Sequence, residues 1–471
     1  MRNVFLLMIC ALGAMLSGCA HTSPPLTSNT VPAAWVQPIE ADAPVWPDPA
    51  WWTKFGSDEL NRLIAEARQS NLDLSAAASR LLQAKADKQI AFAPLLPFVD
   101  GGASAQTFGG NSSTNTNSSR SNGRNQSYSL DVSASYEIDF WGKNRAGFAA
   151  ARANYRASKY DEGVVALTVT SDVATTYFQV LSLRERLAIA KENLAIAERV
   201  LGVVESRVRN GVATPLDLAQ QRGAVAQQQA QIPALTQQEF VARAALALLL
   251  ARPPEGFALA GQSLDKLDAP TVAPGLPSEL LARRPDIRRD EASLAAADAN
   301  IRVARAQFFP SISLTGSGGL ESAALSGLFG GAGLATSAAA SLAQPLFEGG
   351  QITGQFHRAV AQREELVSSY RKTVLTAFSD VETALGAHTT LAEQEHLGAV
   401  QVDEARRALG IAETQYRAGA TDLLALLDTQ RTFYAAQDGL SQTRLARLQA
   451  VVSLYRALGG GWSESETVAA Q

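Results

Sequence analysis

The sequence predicts a mainly α fold of two very long coiled-coil helices joined to four transmembrane β-strands, arranged as an internal two-fold repeat. Three observations predict it. Two long proline-free stretches, Lys143 to Asn210 and Gly350 to Ala418, carry helical periodicity. From Tyr128 to Phe140, apolar Tyr128, Leu130, Val132, Ala134, Tyr136, Ile138 and Phe140 alternate strictly with polar residues. The two halves also repeat: Gly211 and Gly419 sit in matching turns, roughly 208 positions apart, a period long enough to duplicate a whole helix–hairpin–long-helix unit.

The long helices are justified by their seams. Val173, Val180, Leu187, Leu194, Leu201 and Val208 recur at heptad spacing. Val169, Leu183, Ala190, Ala197 and Val204 supply most of the second seam position. An apolar residue every 3.5 positions, on average, is the pattern of a helix that supercoils on its neighbours. At 1.5 Å per residue each stretch spans roughly 100 Å. Matching the two turns pairs Leu194 with Val402, Leu201 with Leu409 and Val208 with Tyr416.

Composition narrows the class. The chain of 471 residues is 46% apolar with a net charge of -4, neither basic enough for a nucleic-acid partner nor charged enough for disorder. Met1-Arg2-Asn3 and the apolar run Val4 to Met15 read as a secretory signal over 1–18, too short to span a bilayer as a helix. It closes on Leu16-Ser17-Gly18-Cys19, which resembles the lipobox of bacterial lipoproteins, so Cys19 is the expected lipidation site and would carry acyl groups such as palmitate. Ala20 follows where an aspartate tends to retain lipoproteins at the inner membrane, and this points to the outer membrane. Cys10 would leave with the signal, and no disulfide remains possible within the mature chain.

The other elements follow in order. Residues 19–56 read as a Pro-, Thr- and Ser-rich tether ending in Trp51-Trp52-Thr53-Lys54-Phe55, with the tryptophans as packing anchors. Ser57 is an expected N-cap, and a second helix from Leu72 to Phe92 should stop at Pro94. Phe98 to Phe108 is a weaker strand, separated from the Tyr128–Phe140 strand by a Gly-, Asn- and Ser-rich loop over 109–126. That second strand is long for a globular sheet and suits a tilted membrane crossing, with Tyr128 and Phe140–Trp141 near the two interfaces. Gly211, Thr214 and Pro215 predict helix end, N-cap and first helical position of the return helix, which Pro253-Pro254 stops. A first repeat over 57–260 then passes through a linker, 261–276, to a second repeat over 277–462 and a tail, 463–471. In the second repeat Leu280 to Phe309 is helical, Ser311 to Gly319 and Leu334 to Phe347 are strands, and a return helix ends near Leu458.

Four strands cannot close on themselves, and lipid does not tolerate open sheet edges. Further copies must complete the sheet. Three give twelve strands, an even number in the range of known barrels, although edge pairing alone also permits a dimer or tetramer. No enzymatic constellation competes with this reading: His21, His357, His388 and His396 lack metal-ligand spacing, and the glycines near Gly316 and Gly330 lack the following helix that phosphate binding needs. No cofactor or metal is expected.

Several motifs then carry a resemblance. Leu281-Ala282-Arg283-Arg284-Pro285-Asp286-Ile287, Ala295-Ala296-Ala297, Ala304-Arg305-Ala306-Gln307-Phe308-Phe309-Pro310, Leu346-Phe347-Glu348-Gly349-Gly350 and the ending Leu454 to Trp462 are similar to the TolC-like outer-membrane factors, in the NodT/OprM branch of efflux lipoproteins. The resemblance spans essentially the whole mature chain. It implies a homotrimer with a twelve-stranded barrel, a periplasmic helical tunnel and an equatorial collar. Such a trimer is the exit duct of a tripartite system with a periplasmic adaptor and an inner-membrane pump. The alternatives weighed are a duct for type I protein secretion and a non-porous structural lipoprotein. The resemblance also implies a periplasmic gate where the helix pairs turn: Tyr416 bonded to Asp217, Leu424 as a constriction, Asp428 facing the axis, and Arg431 beside it. Two positions depart from the family pattern, Thr421 where a basic residue is common and Ala425 in place of a second axial aspartate.

Overall fold

Capping and turn chemistry set the element boundaries in the computed structural model, which describes residues 31–37, 46–109, 124–330 and 334–462. Cys19, most of the tether, the centre of the first hairpin loop and the tail lie outside the described residues. Helix α1 spans Asp58–Ser70, with the Ser57 hydroxyl accepting from the Leu60 amide at 3.1 Å. Helix α2, Leu72–Phe92, is capped by the Asn71 side chain and gives way to a short 3-10 turn through Pro94. Strands β1 (Phe98–Gly109) and β2 (Arg124–Glu137) follow, then helix α3 (Lys143–Arg209) and its return helix α4 (Pro215–Leu249). The second repeat has the same order: α5 (Pro277–Arg283), α6 (Pro285–Ala306), β3 (Ser311–Ser322), β4 (Leu334–Ala343), α7 (Gln351–Ala418) and α8 (Leu423–Ala457).

The four strands form one antiparallel sheet in the order β1-β2-β3-β4, so the outer edges of β1 and β4 have no strand partner among the described residues. Its faces are inverted relative to a water-soluble sheet. Leu130 and Val132 point outward at 41% and 56% exposure. The polar side chains of the other face bond to one another: Ser104–Ser129 at 2.8 Å, Ser133 to Asp100 at 2.6 Å, Ser313–Ser341 at 2.6 Å and Ser317–Ser337 at 2.9 Å. Directly opposed residues share a face, and the register Gly102–Asp131–Gly319 therefore places Asp131 in line with this polar ladder, flanked by two glycines that leave it room.

Three strands depart by more than one residue from the boundaries expected from the sequence. β2 starts four residues early, at Arg124, and ends at Glu137 instead of Phe140. Its expected last residues are diverted because the Asp139 carboxylate accepts from the amides of Asn144 and Arg145 at 3.0 and 2.8 Å, capping α3. β3 runs on to Ser322, since β2 extends far enough to pair with it. β4 stops at Ala343, because Pro345 has no amide to give the ladder, and Leu346 and Phe347 stand almost fully exposed beyond it.

The core lies mid-way along the long helices, where α1, α3, the α4 and α8 ends and the chain crossing from α4 to α5 meet. Trp51 is stacked on Tyr455 with centroids 5.0 Å apart, and Phe55 packs on Phe178 at 5.0 Å, so Trp51 is a packing anchor. The Glu59 carboxylate accepts from the Ala260 and Gly261 amides, and Arg184 donates to the Leu259 and Gly261 carbonyls, which binds the crossing segment to both helices. The described piece of the tether straps the same level: Trp35 packs edge-on to Phe378, and the Val36 and Gln37 amides donate to Glu382. Along α3 the second seam (Val169, Leu183, Ala190, Ala197, Val204) is buried throughout. The first seam is buried at Val173 and Val180 and only half-buried from Leu187 to Val208.

Candidate functional site

Two regions carry the functional chemistry: the polar face of the sheet and the tip where the hairpins α3–α4 and α7–α8 turn. The sheet stands on the helix pairs through an aromatic junction. Trp141 stacks on Phe309 at 4.6 Å and donates to the Pro310 carbonyl at 2.7 Å, with Phe140 edge-on at 4.8 Å. Exposed Phe140 and Phe347 stand at the same end of the strands, the placement of an aromatic girdle at one membrane interface, whereas Phe98, opposite Ser135, lies on the polar face.

At the tip, glycine ends both descending helices. Gly211 and Gly419 have φ of +72° and +76°, a left-handed conformation that costs glycine little and other residues more. The return helices begin on side-chain caps. Thr214 and Asp217 form a capping box, with Asp217 accepting from the Thr214 amide at 2.7 Å and its hydroxyl at 2.9 Å. Asp422 accepts from the Ala425 amide at 2.9 Å. Leu423, Leu426, Leu427 and Gln430 of α8 are buried, while Leu424, Ala425, Asp428 and Arg431 lie exposed on the opposite stripe at helical spacing. Leu424 is 65% exposed despite being a leucine. No ion pair joins Asp428 to Arg431 among the described residues.

The tip therefore brings Leu424, Asp428 and Arg431 onto one face but does not form the expected bond between Tyr416 and Asp217. The Asp217 carboxylate is spent on the capping box, and the buried Tyr416 hydroxyl has no hydrogen-bond partner among the described residues. Burial pushes the Tyr416 phenol up; nearby Arg207 pulls it down, and the Asp217 charge adds to the rise. What the sequence reading missed is Arg207. Its guanidinium lies over the Tyr416 ring, 4.6 Å from the centroid, and donates to the Tyr416 carbonyl. The signal was a basic residue in the last turn of α3, where a cation suits a helix C-terminus. Thr421 is half-buried, between the Gly419 turn and the Asp422 cap. Among the described residues no cluster of His, Cys, Asp and Glu is arranged to hold a metal ion.

A sheet that exposes its apolar face, bonds its polar face internally and rides on helices roughly 100 Å long defines an outer-membrane channel protein. The chain belongs to the outer membrane efflux protein family, whose profile matches residues 63–252 and 276–460. It is 42% identical to the pyoverdine export outer membrane protein OpmQ of Pseudomonas aeruginosa, over 98% of this chain and 97% of that one. It is 32% identical to the cation efflux system protein CusC of Escherichia coli, over 88% of each. Among solved structures, the outer-membrane channel OprN superposes with a TM-score of 0.82 at 28% identity, covering 94% of this chain and all of that one. The Campylobacter jejuni CmeC outer membrane channel gives 0.84 at 27% identity, over 92% of each. The fold and the efflux-channel function expected from the sequence are those of these relatives.

Proposed function

We propose that the chain is the lipid-anchored exit duct of a tripartite efflux system, in which three copies close a twelve-stranded barrel in the outer membrane. The observation that carries this reading is the pair of open sheet edges on β1 and β4 beside an exposed apolar face. In lipid each unpaired backbone group costs several kcal/mol, so β4 of one copy must pair with β1 of the next. The half-exposed lower seam of α3, Leu187 to Val208, supplies an apolar stripe for the neighbouring copy in the helical tunnel. Cys19 carries the acyl anchor, and a periplasmic adaptor and inner-membrane pump engage the tip. There Leu424, Asp428 and Arg431 line the closed gate, with Tyr416 and Asp217 bracing the turns behind them.

The repeat boundaries at 57–260 and 277–462 fit this assembly, each unit contributing one strand hairpin and one helix hairpin. The cargo is small organic molecules. The pyoverdine-exporting relatives match at 42% over nearly the whole chain, against 34% for the solvent and toluene pump proteins. Native mass measurement and planar-bilayer recording of the purified full chain test the reading. Three chains per particle and stepwise conductance are expected, and a stable non-conducting monomer in lipid overturns it.

A further inference from the structure

Just below the aromatic junction, the helix pair α3–α6 carries a groove of about 460 Å³. Trp141 and Phe309 form its upper wall and Ala146 and Ala149 its floor, and every charged residue that lines it is an arginine: Arg145, Arg302 and Arg305. The Arg302 and Arg305 side chains are exposed and make no hydrogen bond or ion pair among the described residues. Arg145 donates from Nε to the Asp139 carboxylate at 3.2 Å and from Nη2 to the Asp139 carbonyl at 3.0 Å, which leaves Nη1 free. The Asp139 side chain is only 9% exposed and is held by the first amides of α3, outside the groove. Asp298, one turn before Arg302, is taken by Arg363 of α7 at 2.5 Å.

A second cavity lies under the polar face of the sheet, lined by Glu137, Gln307, Ser311 and Ala343. Trp141 and Phe309 line both and stand between them, so the arginine groove opens on the side of the exposed apolar face. Helix α2 packs on α3, α3 on α6 and α6 on α7, which puts the groove in the middle of the chain's own row of helices. Further copies must join at the ends of that row, and they leave the groove uncovered. Helix rise gives its depth. Arg145 and Arg305 stand four residues from Trp141 and Phe309, and Arg302 seven, about 6 and about 10 Å along the helices. A headgroup layer is about 5 to 8 Å thick on each side of the hydrocarbon core, and long arginine side chains reach several Å further toward it. Above the groove, Phe140 and Leu314 continue the apolar surface at 68% and 41% exposure.

We propose that this groove binds the headgroup of an anionic phospholipid of the periplasmic leaflet, one per chain. Arg302, Arg305 and the free edge of Arg145 hold its phosphate, which planar guanidinium forks match in geometry and charge. Its acyl chains lie on Phe140 and the apolar face of the sheet. A zwitterionic lipid brings the same phosphate with a cation attached, which three arginines repel, and so binds less well. The site rests on the placement of the apolar face in lipid and is independent of the gate.

Native mass spectrometry of the purified full chain in detergent micelles, titrated with phosphatidylglycerol, phosphatidylcholine or inorganic phosphate, tests it. Wild type should retain one phosphatidylglycerol per chain, at least about tenfold tighter than phosphatidylcholine. Arg302→Gln with Arg305→Gln should weaken phosphatidylglycerol about twenty-five-fold, roughly fivefold for each basic residue removed at an anionic surface. The melting temperature should not move, because neither side chain holds the fold. Lysine at both positions should keep most of the preference. Equal binding of the two lipids by wild type, or an unchanged preference in the double glutamine variant, overturns the site. Displacement of the lipid by millimolar inorganic phosphate would make the groove a free-phosphate site and overturn the lipid assignment. If the double variant does not assemble, Arg302→Gln alone decides, and it must lose about fivefold. Failure of the wild-type chain to float with phosphatidylglycerol vesicles would instead overturn the placement of the sheet in the membrane.

Discussion

Arg284 donates to both carboxylate oxygens of Asp286, at 3.0 and 2.7 Å, across the break between α5 and α6. The same guanidinium reaches Asp380 on α7 at 3.1 Å and the Ala457 carbonyl at the end of α8 at 3.2 Å. One largely covered cation thus ties the start of the second repeat to both of its long helices. Burial pushes the Asp286 carboxyl up, but the bonds and charge of Arg284 outweigh it and hold the group below its ordinary value.

A carboxylate with a depressed folded pKa stabilises the fold above its unfolded value, near 3.9, and loses that contribution as pH falls through the lower folded one. Asp286→Asn should cost about 2 kcal/mol at neutral pH, the scale of a hydrogen bond to a charged group. It should also flatten the acid limb of the melting curve between about pH 5 and the folded pKa. Thermal melts from pH 7 to pH 3 check both. An unchanged acid limb would show that the Arg284–Asp286 pair contributes nothing to it.

The sheet makes a face-specific prediction. Val132 is on the exposed apolar face and Ser135 on the polar one, three residues along the same strand. Val132→Lys should destabilise the inserted protein by about 2–4 kcal/mol near the membrane midplane. Ser135→Lys should be close to neutral, since its face meets water. Urea unfolding from lipid vesicles measures the difference, and equal losses would mean that the faces are assigned the wrong way round.

Much of this was legible because period and capping are local properties. Ser57, Pro94, Thr214 with Pro215, and the two turn glycines announced helix ends that the structure places within a residue or two. The alternation from Leu130 to Tyr136 was equally plain, yet the strand's end was not, because Asp139 could serve either as the next strand position or as the cap of α3. At the tip, the exposed stripe of Leu424, Asp428 and Arg431 follows from helical spacing once the buried leucines are known. The partner of Tyr416 did not follow. Asp217 has a local use as the Thr214 capping box, and a bond across 209 positions from Arg207 leaves no periodic trace.

The anchor is separable from the barrel. An acyl chain contributes about 0.8 kcal/mol per buried methylene, useful for delivery and minor beside a closed barrel. Cys19→Ser should therefore abolish palmitate incorporation while the reconstituted protein still forms trimers of normal melting temperature. Failure of all non-lipidated protein to assemble in lipid would make the anchor a structural requirement.

Asp428 and Arg431 should act oppositely on ion passage. Both are exposed on the stripe that also carries Leu424, one turn apart and not paired to each other. In the proposed trimer three carboxylates approach a common axis, where a ring of like charge attracts cations into the narrowest part of the path. Asp428→Ala should lower the cation preference read from the reversal potential in a salt gradient, and Arg431→Ala should raise it. Exposed charges are screened within about 10 Å at 0.1 M salt and about 3 Å at 1 M, so both shifts should shrink as the salt rises. Neither substitution removes a buried group, and the trimer's melting temperature should stay within a degree or two of wild type. A reversal potential that ignores Asp428→Ala at low salt would place this face of α8 away from the axis and leave the gate to Leu424 alone.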